Sequence, residues 1–105
     1  MKLDAQQLER VANLFRAFAE GTRLAIIQEL KEGELTVSEI VERLTTSQAN
    51  VSKQLKLLHD AGLLTRRKQG TQVLYQIADP MVFELCRTVC DKLNRDAVRP
   101  AKLRF

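Results

Sequence analysis

A helix-turn-helix followed directly by a β-hairpin is the fold class that this sequence predicts: mainly α, with five helices and a two-stranded wing. Three observations predict it. Two helix-start signals, Thr36-Val37-Ser38-Glu39 and Ser47-Gln48-Ala49-Asn50, stand close together with only Thr45-Thr46 between one helix and the next cap. The hydrophobic period changes from helical to alternating after Gly62. Positive charge is concentrated where the second of these helices begins. Residues 1–45 carry 6 basic and 8 acidic side chains, residues 46–77 carry 5 basic and 1 acidic, and residues 78–105 carry 6 basic and 4 acidic. Polyanion binding needs such a local excess, because phosphate neutralisation supplies most non-specific affinity for DNA.

Asp4 followed by Gln7 is a capping pair, and it predicts a first helix from about Ala5 to Ala19. Its apolar stripe, which includes Leu8, Val11, Leu14, Phe15 and Phe18, is wider than one small domain covers from one side. Glu20-Gly21 breaks the pattern. A second helix runs from Thr22 to Lys31, with Leu24, Ile27 and Leu30 inward and Gly33 as its stop. Arg23, near its start, suits a structural salt bridge better than a phosphate contact. The Thr36 box opens a third helix ending near Leu44, with Val37, Ile40, Val41 and Leu44 inward.

The fourth helix carries the chemistry. Ser47 is its N-cap and Gly62 its stop. Val51, Leu55 and Leu58 make a core face, and Ala49, Ser52, Lys53 and Lys56 lie opposite, with no acid among them. Gln48 and Asn50 occupy the first turn. An apolar back, small polar groups at the N-terminus and lysines along the front suit a DNA major groove, although a surface helix with solvated lysines shows the same pattern. The alternating runs Leu63–Gln69 and Gln72–Ile77 flank Gly70-Thr71 and form a hairpin, with Val73, Tyr75 and Ile77 on one face and Arg66, Arg67 and Lys68 close to the tip. A lone basic hairpin is often an edge strand guarded by charge. Beside such a helix it reads as a wing that meets phosphate or the minor groove. Gln48, Ala49, Ser52 and Lys53 are therefore expected to face base edges, and Ser47, Lys56, Arg66, Arg67 and Lys68 to meet phosphates.

Asp79-Pro80 starts a fifth helix that runs to about Asn94. Val82, Cys86, Val89 and Leu93 form its seam, again too apolar for one-sided packing. The two end helices thus predict a homodimer, with Leu8, Phe15, Val82, Cys86 and Val89 at the interface. Residues 1–94 form the DNA-binding domain, and the basic stretch 95–105, which contains Pro100, is expected to be a disordered tail.

A chain of 105 residues is one domain. It has no membrane-length apolar run and no signal-peptide core, so the expected compartment is the cytoplasm. Two cysteines fit a reducing environment. One histidine, no nucleophile–base–acid set and no Gly-rich phosphate loop argue against an enzyme. A winged protein-interaction module without DNA is the alternative, but it would not need Lys53, Lys56, Arg66, Arg67 and Lys68 on one surface.

These residues resemble the ArsR/SmtB family of bacterial winged-helix repressors. The likeness is carried by Phe18-Ala19-Glu20-Gly21-Thr22-Arg23-Leu24-Ala25-Ile26-Ile27, by Glu34-Leu35-Thr36-Val37-Ser38-Glu39-Ile40, and by Ser47-Gln48, Val51-Ser52, Leu55 and Leu58. It continues through Gly62-Leu63-Leu64, Arg67-Lys68-Gln69-Gly70 and Tyr75-Gln76-Ile77-Ala78-Asp79, covering about residues 8–94. The resemblance implies a homodimer on a two-fold double-stranded DNA operator, released by an inducer. Family members often have Asp-Pro at Glu20-Gly21 and His at Gln54. The arsenic- and lead-sensing members resemble Glu-Leu-Cys-Val-Cys, where this chain has Thr36 and Ser38 in the cysteine positions. The zinc-sensing positions on the last helix match Asp79, Met81, Lys92 and Arg95, too poor a donor set for tight zinc binding. No resident metal or cofactor is expected. Cys86 and Cys90, at i, i+4, are either small core residues or a site for a thiophilic metalloid or an oxidant. His59 by itself cannot build a metal cluster, and it caps its helix or faces solvent.

Overall fold

The structure, a computed structural model, describes residues 1–96 and 102–105. Helix α1 (Ala5–Phe18) opens on the expected capping box: the Gln7 backbone N–H donates to Asp4 Oδ1 at 2.8 Å, and the Asp4 N–H to Gln7 Oε1 at 2.9 Å. Helix α2 (Gly21–Glu29) begins one residue earlier than the pattern suggests, because Glu20 is more than a break. Its carboxylate accepts from the Arg23 N–H at 3.0 Å and caps the helix. A 3₁₀ turn (Leu30–Glu32) ends at Gly33, whose φ of 140° is open chiefly to glycine.

Strand β1 (Leu35–Thr36) was not legible in the alternation, being only two residues long. It leads directly into α3 (Val37–Arg43), so Thr36 is at once a strand residue and an N-cap. Its Oγ1 accepts from the Glu39 N–H at 3.1 Å, and Glu39 Oε1 accepts from the Thr36 N–H at 2.9 Å. After the turn comes α4 (Gln48–Asp60). It closes in a Schellman motif: the Leu63 N–H reaches Leu58 O and the Gly62 N–H reaches His59 O, both at 3.0 Å, with Gly62 at φ 80°.

Strands β2 (Leu64–Gln69) and β3 (Gln72–Ile77) pair antiparallel from Leu64↔Ile77 to Gln69↔Gln72. Gly70, at φ 63°, takes the first turn position. The expected hairpin acquires a third strand, because β1 pairs with β3 through Leu35↔Tyr75 and Thr36↔Leu74. The sheet order is β1-β3-β2, so β3 is central. Asp79 Oδ1 accepts from the Met81 N–H at 2.9 Å and caps α5 (Met81–Asp96).

Ile26, Ile27, Ile40, Val51, Leu55 and Leu58 are fully buried at the junction of α2, α3 and α4. Each contributes about 1.5–3 kcal/mol of burial relative to exposure, enough to fix α4 firmly on the domain.

The apolar seam of α5 divides. Val82 is 0% exposed and Cys86 is buried, whereas Val89 is 50% exposed. The first turns of α5 lie on the core and the later ones extend past it. Val82 and Cys86 are therefore core residues of the protomer, Cys86 lying at the floor of an apolar groove, while Leu8, Phe15 and Val89 remain on the surface. The expected disordered tail is also revised where it can be seen. Asn94 exchanges two hydrogen bonds with the Leu103 backbone, at 2.7 and 2.8 Å, and Phe105 packs on the core. Apolar side chains within the basic tail give those residues something to bury. Residues 97–101 lie outside the described part.

A candidate nucleic-acid interface

The buried face of α4 settles its exposed one. With Val51, Gln54, Leu55 and Leu58 inward, Gln48, Ala49, Ser52, Lys53 and Lys56 all face outward. Ser47 spends one lone pair on capping, accepting from the Asn50 N–H at 3.1 Å, and keeps its own O–H for an outside acceptor. Lys53 has no ionic partner among the described residues, while Lys56 Nζ lies 3.0 Å from Asp60 Oδ2, one turn along the helix. Asn50, unlike Gln48, does not project from the helix end. Its amide donates to Thr46 Oγ1 at 3.0 Å and accepts from Gln54 Nε2 at 3.1 Å.

That bond belongs to a chain of polar contacts across three helices. Arg23 makes no salt bridge among the described residues, contrary to the expectation for it. Its Nε and Nη2 donate to the Ala17 and Arg16 carbonyls at 2.8 and 3.0 Å, and its Nη1 to Gln54 Oε1 at 2.6 Å. A guanidinium at the C-terminal end of α1 satisfies carbonyls that the helix leaves open and complements its dipole. Arg23 thus ties α1 to Gln54 of α4, and Gln54 passes the connection through Asn50 to Thr46, beside the cap of α4. Gln54 is only 7% exposed, and this network satisfies its buried amide.

The wing presents its cations on two faces, because successive strand residues alternate. Arg66 and Lys68 share one face and have no ionic partner among the described residues. Arg67 points the other way and is paired: its Nη2 and Nε meet Glu34 Oε1 and Oε2 at 2.5 and 3.0 Å. The pair lowers the Glu34 pKa below the usual glutamate value, through the Arg67 hydrogen bond first and its charge second. Glu34 was absent from the sequence-based site, since no periodicity links residues 33 positions apart.

The thiols lie elsewhere, in a groove of about 430 Å³ between α1 and α5 that Phe15, Leu85, Val89, Cys90 and Leu93 help to line. Burial, then the neighbouring Cys90, pushes the Cys86 thiol above its ordinary pKa, which disfavours the reactive thiolate. Cys90 is half-buried. Among the described residues no three His, Cys, Asp or Glu side chains are grouped to hold a metal ion. Thr36 is occupied as a cap, Asp79 caps α5, and Lys92 is paired with Asp96. His59 is part-exposed, its side chain 30% open to solvent, while its buried Nδ1 has no hydrogen-bond partner among the described residues and lies 3.6 Å from Asp60 Oδ1. No helix among the described residues is long and apolar enough to cross a membrane.

A capped, basic helix held by its apolar back, followed by a β2–β3 wing with outward cations that β1 extends to a three-stranded sheet, defines a winged helix-turn-helix fold of the DNA-binding type. Residues 20–66 match the family model for bacterial regulatory proteins of the arsR family. An HTH-type transcriptional regulator of Methanocaldococcus jannaschii is 36% identical over 85 residues, covering 80% of this chain and 96% of that one. The transcriptional repressor SmtB of Mycobacterium tuberculosis is 34% identical over 91 residues, covering 87% of this chain and 67% of the repressor. A homodimeric winged helix-turn-helix DNA-binding domain from Mycobacterium bovis, solved by NMR, superposes with a TM-score of 0.76 at 30% identity, covering 94% and 96% of the two chains. The chain belongs to the ArsR/SmtB family of DNA-binding transcriptional regulators.

Proposed function

We propose that this regulator is a homodimeric repressor that grips a two-fold operator with a pair of α4 helices in successive major grooves, roughly 34 Å apart, and is released by an inducer. The single observation that carries this reading is the outward face of α4, where Gln48, Ala49, Ser52 and Lys53 have no carboxylate partner among the described residues. In this reading those four meet base edges. Ser47, Lys56, Arg66, Arg67 and Lys68 meet phosphates, with Arg66 and Lys68 unpaired among the described residues and Lys56 and Arg67 having to exchange an internal partner. Major-groove binding by a helix is supported by the absence of bulky apolar residues at its first exposed turn. A bacterial repressor that acts on chromosomal DNA works in the cytoplasm, and that is the compartment we propose.

The dimer is supported by the apolar surface that one protomer leaves open, with Phe15 57% exposed on α1 and Val89 on α5. Such a surface favours a self-complementary partner, and a second copy supplies it. For the inducer, a thiophilic metalloid or an oxidant is the signal that side-chain chemistry allows, with Cys90 as its point of entry, because Cys86 is buried. Added bulk or charge would disturb the α1–α5 groove and hence the spacing of the two α4 helices. The test is a mobility-shift titration on the DNA upstream of its own gene against a random duplex of equal length. Equal affinity for the two would remove sequence-specific repression from the reading.

A further inference from the structure

Arg67 is the wing cation that the fold has already engaged. Glu34 reaches it from the segment just before β1, over the central strand β3, and holds it in a two-pronged grip at 2.5 and 3.0 Å. Gln69 Oε1 accepts from the same Nη2 at 3.2 Å. A carboxylate gripping a guanidinium in this way uses the donors, in the same planar geometry, that a DNA phosphate would use. We infer that Glu34 belongs to the DNA-binding face as an internal phosphate mimic: it occupies Arg67 in the free protein and competes with the DNA backbone for it. The inference rests on the DNA-binding reading of the wing and adds to it a residue that lowers affinity.

Three features support competition over simple bracing. Both side chains remain open to water, at 53% and 31% exposure, so a phosphate can reach the pair without unfolding anything. The neighbouring Arg66 and Lys68 lack such a partner among the described residues, so the wing has cations available at first encounter and one held in reserve. Glu34 also brings an acid to a region in which residues 46–77 carry a single acidic side chain, Asp60. The fold therefore lowers the positive charge that the local sequence concentrates.

The experiment is a double-mutant cycle of wild type, Glu34→Gln, Arg67→Gln and the double variant, each titrated on a random-sequence duplex and on the DNA upstream of its own gene across a range of salt. The exposed pair is weak, so freeing Arg67 should tighten binding by roughly two- to fivefold per wing on both duplexes. The plot of log affinity against log salt should steepen by roughly 0.9 for each further phosphate that is neutralised. In the Arg67→Gln background the Glu34 substitution should have almost no effect. Unchanged affinity in Glu34→Gln overturns the inference. Weakened affinity also overturns it and makes Glu34 a brace for the wing. An equal rise in affinity with Arg67 absent overturns it in favour of long-range charge. If the wild type binds neither duplex, the DNA-binding reading itself fails, an outcome distinct from these three.

Discussion

Replacing Gln54 with Leu should destabilise the domain although the two side chains have similar volume. Gln54 is buried and accepts from Arg23 Nη1 at 2.6 Å while donating to Asn50 Oδ1 at 3.1 Å. Leucine removes both bonds. A hydrogen bond to a charged group contributes about 1.5–3 kcal/mol and a neutral one about 0.5–1.5 kcal/mol. Better burial of the leucine offsets about 1 kcal/mol, and Arg23 is only partly buried, so water recovers some of the loss. A net cost of about 1–3 kcal/mol follows, a large share of the roughly 5–15 kcal/mol that holds a domain of this size. In urea unfolding the midpoint should fall with the slope unchanged, and Tm should drop by roughly 4–8 °C per kcal/mol. Protein concentration must be matched, since dimerisation adds to apparent stability. Gln54→His keeps an acceptor and a donor on one ring and should lose less. A Gln54→Leu variant as stable as wild type would refute the claim that this network holds α1, α2 and α4 together.

Four further outcomes follow from the same geometry. Gln48→Ala should cost about 1–3 kcal/mol on the operator and little on random DNA, if Gln48 makes a two-bond base contact; equal loss on both would remove it from the reading role. Arg66→Ala should weaken binding to all sequences more than Arg67→Ala does, because Arg67 starts from an internal partner; filter-binding salt titrations rank the two. Phe15→Glu should shift sedimentation at micromolar concentration toward monomer, and an undisturbed dimer would move the interface off α1. Below about pH 4.5 the caps at Glu20 and Glu39 should weaken. Both carboxyls are held under the usual glutamate pKa by the backbone hydrogen bonds they accept, so their contribution is complete above that value and fades as pH falls through the lowered one. Glu39→Gln should flatten that part of the stability profile measured by circular dichroism. Separately, a Cys86→Ser, Cys90→Ser variant that releases DNA as wild type does, under arsenite, zinc, cadmium and a mild oxidant, would make the thiols packing residues only.

Much of the architecture is written locally. A cap, its reciprocal partner three residues on and an apolar period are all short-range signals, and Asp4, Thr36, Ser47 and Asp79 each do in the structure what their neighbours imply. Gly33, Gly62 and Gly70 take positive φ where the chain turns out of a helix or between strands. The outward face of α4 was legible for the same reason, because a helix with a known inside has a known outside. The excess apolar surface of α1 was legible too, since an amphipathic stripe that is too wide shows in the sequence itself.

What the sequence alone could not decide are the pairings between distant residues. Two-residue β1 carries no period, and only the neighbouring edge of β3 makes it a strand. The seam of α5 is uniform as text. How far the domain extends beneath it determines that Val82 is core and Val89 is surface. Arg23 reads as a candidate ion pair until the end of α1 and the side of α4 converge on it. Arg66 and Arg67 are adjacent and chemically identical, yet among the described residues one has no ionic partner and the other is held. The difference comes from strand alternation, which turns them to opposite faces, and from a sheet order that carries Glu34 to only one of them. Local composition determined that this protein would present a basic helix and wing, while the tertiary structure decided which of those charges are available, because electrostatic partners are chosen by distance in space and not by distance along the chain.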